Sequence, residues 1–250
     1  MGEIIGIVSG KGGVGKTTIC ANLAFCFALQ GKKVIAVDGD LGLKNLDILL
    51  GLENKSAFDL ADILQDRCPI NKAIVAHDQL SGLHFIPASA SSSAEQIDRA
   101  AFRKLCRYLS EHYDYVLLDA PAGVGRGFNN VIHCCDKCIV VATPDLTSIR
   151  DAQKTADIIA QYPRLKAWLV INKVRKQLID KGYIQNIDDI MDSISLPLIG
   201  LIAQDDNVLV YSNKGAVLPR AKCISAKCFM NISKRIMGQR VPLLKIWRKK

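Results

Sequence analysis

The chain of 250 residues has no run of about twenty apolar side chains, which excludes a membrane-spanning helix. It has no Pro/Ser-rich linker and no internal repeat, so one domain with one sizeable core is expected from its 49% hydrophobic content. No charged and apolar leader precedes the first apolar segment at Ile4, and a cytoplasmic chain is expected. Acid is missing from one end: residues 207–250 contain no Asp or Glu, against eleven Lys and Arg. With 33 basic and 24 acidic side chains in all, residues 1–206 keep 22 basic and 24 acidic, so the net charge of +9 belongs to a cationic C-terminal end on a near-neutral body.

Cysteine is not scarce. There are nine, and Cys134, Cys135 and Cys138 include a Cys-x-x-Cys spacing. In a reducing compartment, scattered cysteines such as Cys20, Cys26 and Cys106 read as small hydrophobes on helix faces. Metal or redox use of the 134–138 cluster, with Cys223 and Cys228 elsewhere, is the lesser reading because no second regularly spaced pair accompanies it.

Residues 10–17 read Gly-Lys-Gly-Gly-Val-Gly-Lys-Thr. Gly10, Gly15, Lys16 and Thr17 satisfy the G-x-x-x-x-G-K-[ST] phosphate loop, in which backbone N–H groups close around phosphates, the lysine reaches the β/γ oxygens and the hydroxyl ligates Mg²⁺. The surroundings match: residues 4–8 form an apolar strand, and from Thr17 to about residue 30 a helix presents its anion-favouring N-terminus. Gly12, Gly13 and Val14 complete the cradle. Lys11 is a lysine more than the pattern requires.

Further apolar runs at 33–38, 83–87, 115–119, 138–143, 166–172 and 197–202 alternate with helical stretches; residues 95–112 place Ile97, Ala101, Leu105 and Leu109 on one face. The reading is an α/β fold: a mostly parallel, doubly wound sheet with helices on both faces and ligands at the carboxyl ends of its strands. Two strands end in carboxylates there. Asp119 closes the run Tyr-Val-Leu-Leu-Asp and is expected to organise Mg²⁺, with Pro121 and Gly123 turning toward a γ-phosphate. Asp38 and Asp40 sit at alternate positions; Asp40 is expected to orient the attacking water and Asp38 to support the metal.

The string Lys-Gly-Gly-Val-Gly-Lys-Thr resembles the deviant Walker A loop of the MinD/ParA family of ATPases, and the resemblance runs on through Gly-Leu-Lys-Asn-Leu-Asp at 42–47, Gly-Leu-Glu-Asn at 51–54, Ile-Pro-Ala-Ser at 86–89, Asp-Ala-Pro-Ala-Gly at 119–123 and the segments 143–144 and 148–152. Residues 42–53 resemble the septum-placing members rather than the partition-type relatives, which share the loop but not this stretch. The resemblance implies an ATPase using ATP and Mg²⁺, a homodimer in the ATP state in which Lys11 reaches across to the partner's nucleotide, and catalytic roles for Lys11, Lys16 and Asp40. It implies Thr18 on the α-phosphate, the Gly123 N–H on the γ-phosphate, Asn172 on adenine, metal contacts for Thr17, Asp38 and Asp119, and Arg150 and Asp151 on the dimer and partner surface. Partners implied are a division inhibitor and an ATPase-activating protein. There are departures. Gly125, followed by Arg126, stands where the family usually has glutamate, and residues 203–206 lack the usual proline of the base-side loop.

Residues 1–238 are expected to be the ATPase domain and 239–250 a basic tail. Beyond Pro242, a helix from residue 243 would gather Leu243, Leu244, Ile246 and Trp247 on one face and set Lys245, Arg248 and Lys249 opposite. Such a face suits the headgroup region of an anionic bilayer, making the protein peripheral on the inner face of the plasma membrane; a disordered tail or a segment packed on the body are the alternatives. A related flagellar-placement regulator, or a partition ATPase whose acid-free end binds DNA, is the rival reading of the whole chain.

Overall fold

The structure, a computed structural model, describes residues 1–40, 44–89 and 97–244. Strands β1 (Glu3–Val8), β2 (Val34–Asp38), β3 (Val75–Ala76), β4 (Leu83–Ile86), β5 (Tyr115–Asp119), β6 (Lys137–Ala142), β7 (Lys166–Val174) and β8 (Leu198–Ala203) form one sheet in the order β3-β4-β2-β5-β1-β6-β7-β8. Every neighbouring pair is parallel except β3 with β4. Parallel strands buried on both faces need no polar alternation, which is why β2 and β5 are buried at all five positions.

Helices α1 (Lys16–Leu29), α2 (Leu46–Leu50), α3 (Leu60–Leu64), α4 (Ile70–Ala73), α5 (Arg99–His112), α6 (Arg126–Cys134), α7 (Leu146–Ala160), α8 (Lys176–Asp180), α9 (Ile187–Ile194), α10 (Asp206–Ser212) and α11 (Ile224–Ile236) connect and cover the strands. Successive strand side chains point to opposite faces, so β1 divides between two cores. Ile4 and Val8 join Leu105, Leu109, Phe128 and Ile149 of α5, α6 and α7. Ile5 and Ile7 join Ile19, Leu23 and Phe27 of α1 and Phe229 of α11. Helix α1 is apolar nearly all round and correspondingly buried, with Phe27 stacked on Tyr115 at 4.1 Å between ring centres. The α11 helix seats tightly because Gly200 carries no Cβ, which would lie 2.2 Å from Ile232 Cγ1.

Several expected boundaries move. The helix expected over 95–112 begins at Arg99, because Asp98 stays extended and its carboxylate accepts the Ala100 N–H as an N-cap. β7 runs past Asn172 to Val174 through a register shift against β8. Cys20, Cys26 and Cys106, expected on apolar helix faces, are buried, and so are Cys134 and Cys138 of the 134–138 cluster.

The C-terminal expectation changes most. Helix α11 ends at Ile236, Gly238 turns the chain at φ 80°, and Leu243 and Leu244 are irregular rather than helical. Arg235 explains why: Nε donates to Val241 O and Nη2 to Pro242 O, while Nη1 holds Ile199 O, so the segment lies along the body and Leu244 packs against the α1–α11 core. Lys245, Ile246, Trp247, Arg248 and Lys249 lie outside the described residues, as does Gly42 of the family-like stretch.

Candidate nucleotide site

β1 ends in the middle of the sheet, flanked by β5 and β6, and the chain turns from Ser9 through residues 10–15 into α1. Gly15, the N-cap residue of α1, has φ 99° and no capping side chain, so the first N–H groups of the helix point into open space with their positive dipole end. A Cβ at Gly15 would stand 2.4 Å from Asn172 Nδ2, which makes glycine a requirement there twice over.

A cavity of about 710 Å³ opens over this helix end, lined by Gly12, Gly13, Gly15, Lys16, Thr17, Thr18, Asp40 and Asn172, with Gln204, Val208 and Leu209 on its far wall. The volume suits a nucleotide. Lys16 is buried, its Nζ donating to Ser9 Oγ at 3.0 Å, and Ser9 Oγ in turn donates to Lys11 O at 2.6 Å. Burial lowers the Lys16 pKa, opposed by the charges of Asp119 and Asp40.

Asp38 and Asp119 are adjacent partners in the β2–β5 register and both are buried. Asp38 is braced at the last position of β2: Oδ1 accepts the Asp40 N–H at 3.0 Å and Oδ2 the Leu46 N–H at 3.4 Å. Burial and then the Asp119 charge push the Asp38 carboxyl well up. Asp119 has no hydrogen-bond partner for either oxygen among the described residues; the Thr17 hydroxyl lies close enough to favour its charge without completing a bond. Burial pushes its carboxyl up to about 7, against Thr17 and Lys16, which pull it down. Asp40 is also raised, by burial first, with Lys16 opposing.

An orphaned, buried carboxylate beside a threonine hydroxyl fits a hard divalent cation. Among the described residues no three acidic, His or Cys side chains close around one point, so protein groups alone would not complete the shell. Mg²⁺ commonly keeps one or two protein oxygens and takes the rest from phosphate and water. Thr17 and Asp119 are the residues that fit it, with Asp38 bracing the loop behind.

Two expected contacts are already engaged within the chain. The Gly123 N–H donates to Ser9 O at 3.0 Å, and Ala122 rather than Gly123 lines the cavity. Asn172 donates from Nδ2 to Val14 O at 2.8 Å and accepts the Lys173 N–H on Oδ1 at 2.9 Å, leaving one N–H and one lone pair for a base edge.

Lys11 turns away from the cavity. Its Nζ meets Asp145 Oδ1 at 3.0 Å and Thr147 Oγ1 at 2.7 Å, on a second, shallower cavity of about 390 Å³ that Val14 and Lys173 also line. Partial burial would raise the Asp145 carboxyl, but hydrogen bonds from Thr143, Thr147, the Ser148 N–H and Lys11 hold it well below the usual carboxylate range. Gly10 touches neither cavity and lies under Asp151 of α7, whereas Arg150 is exposed.

An AAA domain family model matches residues 2–171. The septum site-determining protein MinD of Bacillus subtilis is 39% identical over 248 residues, covering 97% of this chain and 92% of that one. The chain belongs to the MinD/ParA family. The MinD of Synechocystis is 37% identical over 246 residues, covering 98% of this chain and 92% of its own. Among solved structures, the Aquifex aeolicus MinC:MinD cell division complex aligns with a TM-score of 0.90 at 33% identity, covering 96% of this chain and 98% of that one. Pyrococcus horikoshii MinD complexed with Mg-ADP aligns at 0.84 and 25% identity over 94% of this chain and 96% of that one. The family's P-loop ATPase fold is therefore the fold of this chain.

Ser9, Asp145, Thr147 and Lys173 are site residues that sequence reasoning missed. The Asp-x-x-Ser spacing at 145–148 is an N-cap signature, and Asp145 does cap α7, yet nothing in the sequence joins it to Lys11, 134 residues away.

Proposed function

We propose that the chain is an ATP-dependent dimerising ATPase that associates with anionic membrane and positions the division septum, hydrolysing ATP to ADP and phosphate. The observation that carries this reading is the separation of the two loop lysines: Lys16 inside on Ser9, Lys11 outside on Asp145 and Thr147. The Lys11–Asp145 pair is exposed, at 40% and 48%, and such pairs contribute about 1 kcal/mol at most, so a partner's phosphates would draw Lys11 away at small cost.

Within one chain, the first N–H groups of α1 and the Lys16 ammonium receive phosphate charge, and Asn172 offers its remaining amide valences to the base. Mg²⁺, when bound, neutralises charge on the β and γ oxygens. Thr17 and Asp119 would hold it, and Asp40, half-buried at the cavity wall, would orient the attacking water. For Gly123 to meet a γ-phosphate its N–H must leave Ser9 O, a small rearrangement that would report the triphosphate. The MinC:MinD complex of the Aquifex aeolicus relative supports a division inhibitor as partner, and we assign it a surface that includes Arg150 and Asp151. We assign an activating protein as a second partner, acting without the usual glutamate at Gly125. The tail at 239–250 would supply the membrane contact.

Sedimentation with anionic vesicles, and separately with duplex DNA, tests the reading at two salt concentrations with ATP or ADP. The intact chain should bind vesicles in ATP only, and Lys11→Ala and a chain lacking residues 241–250 should not. ATP-dependent binding to DNA by the tail-deleted chain would favour a partition ATPase instead.

A further inference from the structure

Lys173 is one of four described non-glycine residues in the left-handed region, with φ 56°, and it lies within the register shift of β7 against β8. A lysine there costs about 1 kcal/mol or more, and bulges of this kind re-aim a side chain. The re-aimed Nζ donates to Gly13 O at 2.8 Å, and Lys173 stands on the ridge between the nucleotide cavity and the Lys11 cavity. Its neighbour Asn172 holds the next carbonyl along the loop, Val14 O, and Asn172 Oδ1 fixes the Lys173 N–H.

Two consecutive residues of β7 therefore grip two consecutive carbonyls of the phosphate loop. In a planar trans peptide the C=O and the following N–H are antiparallel. Drawing Gly13 O and Val14 O toward β7 sends the Val14 and Gly15 N–H groups to the opposite side of the loop. We propose that Lys173 is a positioning residue for nucleotide binding: it acts through the Gly13 carbonyl to present loop N–H groups to the phosphates, and its ammonium adds positive charge at the cavity mouth. This rests on the nucleotide-binding reading above. It assigns Lys173 to the phosphates and not to the base.

The backbone strain supplies a discriminating test, because losing the lysine and relieving the strain act in opposite directions on stability and binding. Equilibrium binding of ADP, ATP and adenosine is measured for the intact chain, Lys173→Met, Lys173→Arg and Lys173→Gly, with thermal unfolding of each nucleotide-free chain. Lys173→Met should weaken ADP and ATP about tenfold, equivalent to about 1.4 kcal/mol, and leave adenosine unchanged. Lys173→Arg should restore ADP binding to within about twofold. Lys173→Gly should unfold at the same or a higher temperature and still lose the tenfold. Unchanged ADP affinity in Lys173→Met and Lys173→Gly overturns the proposal, as does an equal loss for adenosine and ADP. Failure of the intact chain to bind ADP overturns the nucleotide reading as well, so the two failures are distinguishable.

Discussion

At the residue scale the site keeps charge in places that cost stability. Among the described residues Asp119 is buried with no hydrogen-bond partner for either oxygen, and its carboxyl is pushed up to about 7 from an ordinary value near 4. Between those pH values the folded chain binds more protons at this site than the unfolded chain, so its stability falls as pH rises from about 4 to about 7. Asp119→Asn should remove that slope, raise the stability of the nucleotide-free chain at pH 8 by about 2–4 kcal/mol and abolish Mg²⁺-dependent hydrolysis. Denaturant titrations from pH 4 to pH 8, with and without Mg-ADP, check both sides; equal slopes for the two chains would refute the assignment. Gly15 carries a different constraint. Alanine there meets both a φ of 99° and the Asn172 amide 2.4 Å away, and Gly15→Ala should lose nucleotide binding and about 2 kcal/mol or more of stability by calorimetry.

At the element scale, caps link the site to the helices around it. Asp98 caps α5, and Asp98→Ala should cost about 1 kcal/mol in urea unfolding. Asp205 caps two helices: Oδ1 accepts the Asn207 N–H of α10, and Oδ2 accepts the N–H and hydroxyl of Ser225 in α11. Partial burial would raise its carboxyl, yet the Ser225 and Asn207 hydrogen bonds lower it to about 2. Its contribution is thus present above about pH 4 and lost as pH falls toward 2, opposite in sign to Asp119, and Asp205→Ala should cost about 2–3 kcal/mol at pH 7. Elements of this fold were legible where burial alone decides them. Continuous apolar runs located the central strands, and the carboxylates at 38 and 119 marked their ends. What was not legible depends on contacts distant in sequence. The two-residue β3 exists only through pairing with β4, α8 buries no residue, and the irregular path of Leu243 and Leu244 follows from Arg235. The phosphate loop could be read from glycine spacing, whereas its grip by Asn172 and Lys173 comes from β7, about 160 residues on.

At the scale of the whole molecule, the proposed function requires that a weak tail become a firm attachment. Residues 245–250 carry four basic side chains, each contributing about 1 kcal/mol near an anionic surface. Against this stands the cost of ordering a helix far shorter than the 12–15 residues that are marginal alone. One tail is therefore weak. On the proposed reading, two tails held in one dimer would bind as a pair, the second at an effective concentration in the millimolar range, while Arg235 holds Val241 O and Pro242 O of each chain to the body. If dimerisation acts only by bringing two tails together, a single chain carrying two copies of residues 239–250 should not need ATP. Lys11→Ala with a tandem tail should sediment with anionic vesicles in ADP about as well as the intact protein does in ATP, while Lys11→Ala with one tail stays in the supernatant. Attachment by neither Lys11→Ala chain would mean that ATP alters the tail's exit from the body and not merely the number of tails. Attachment by both would remove Lys11 from the switch altogether.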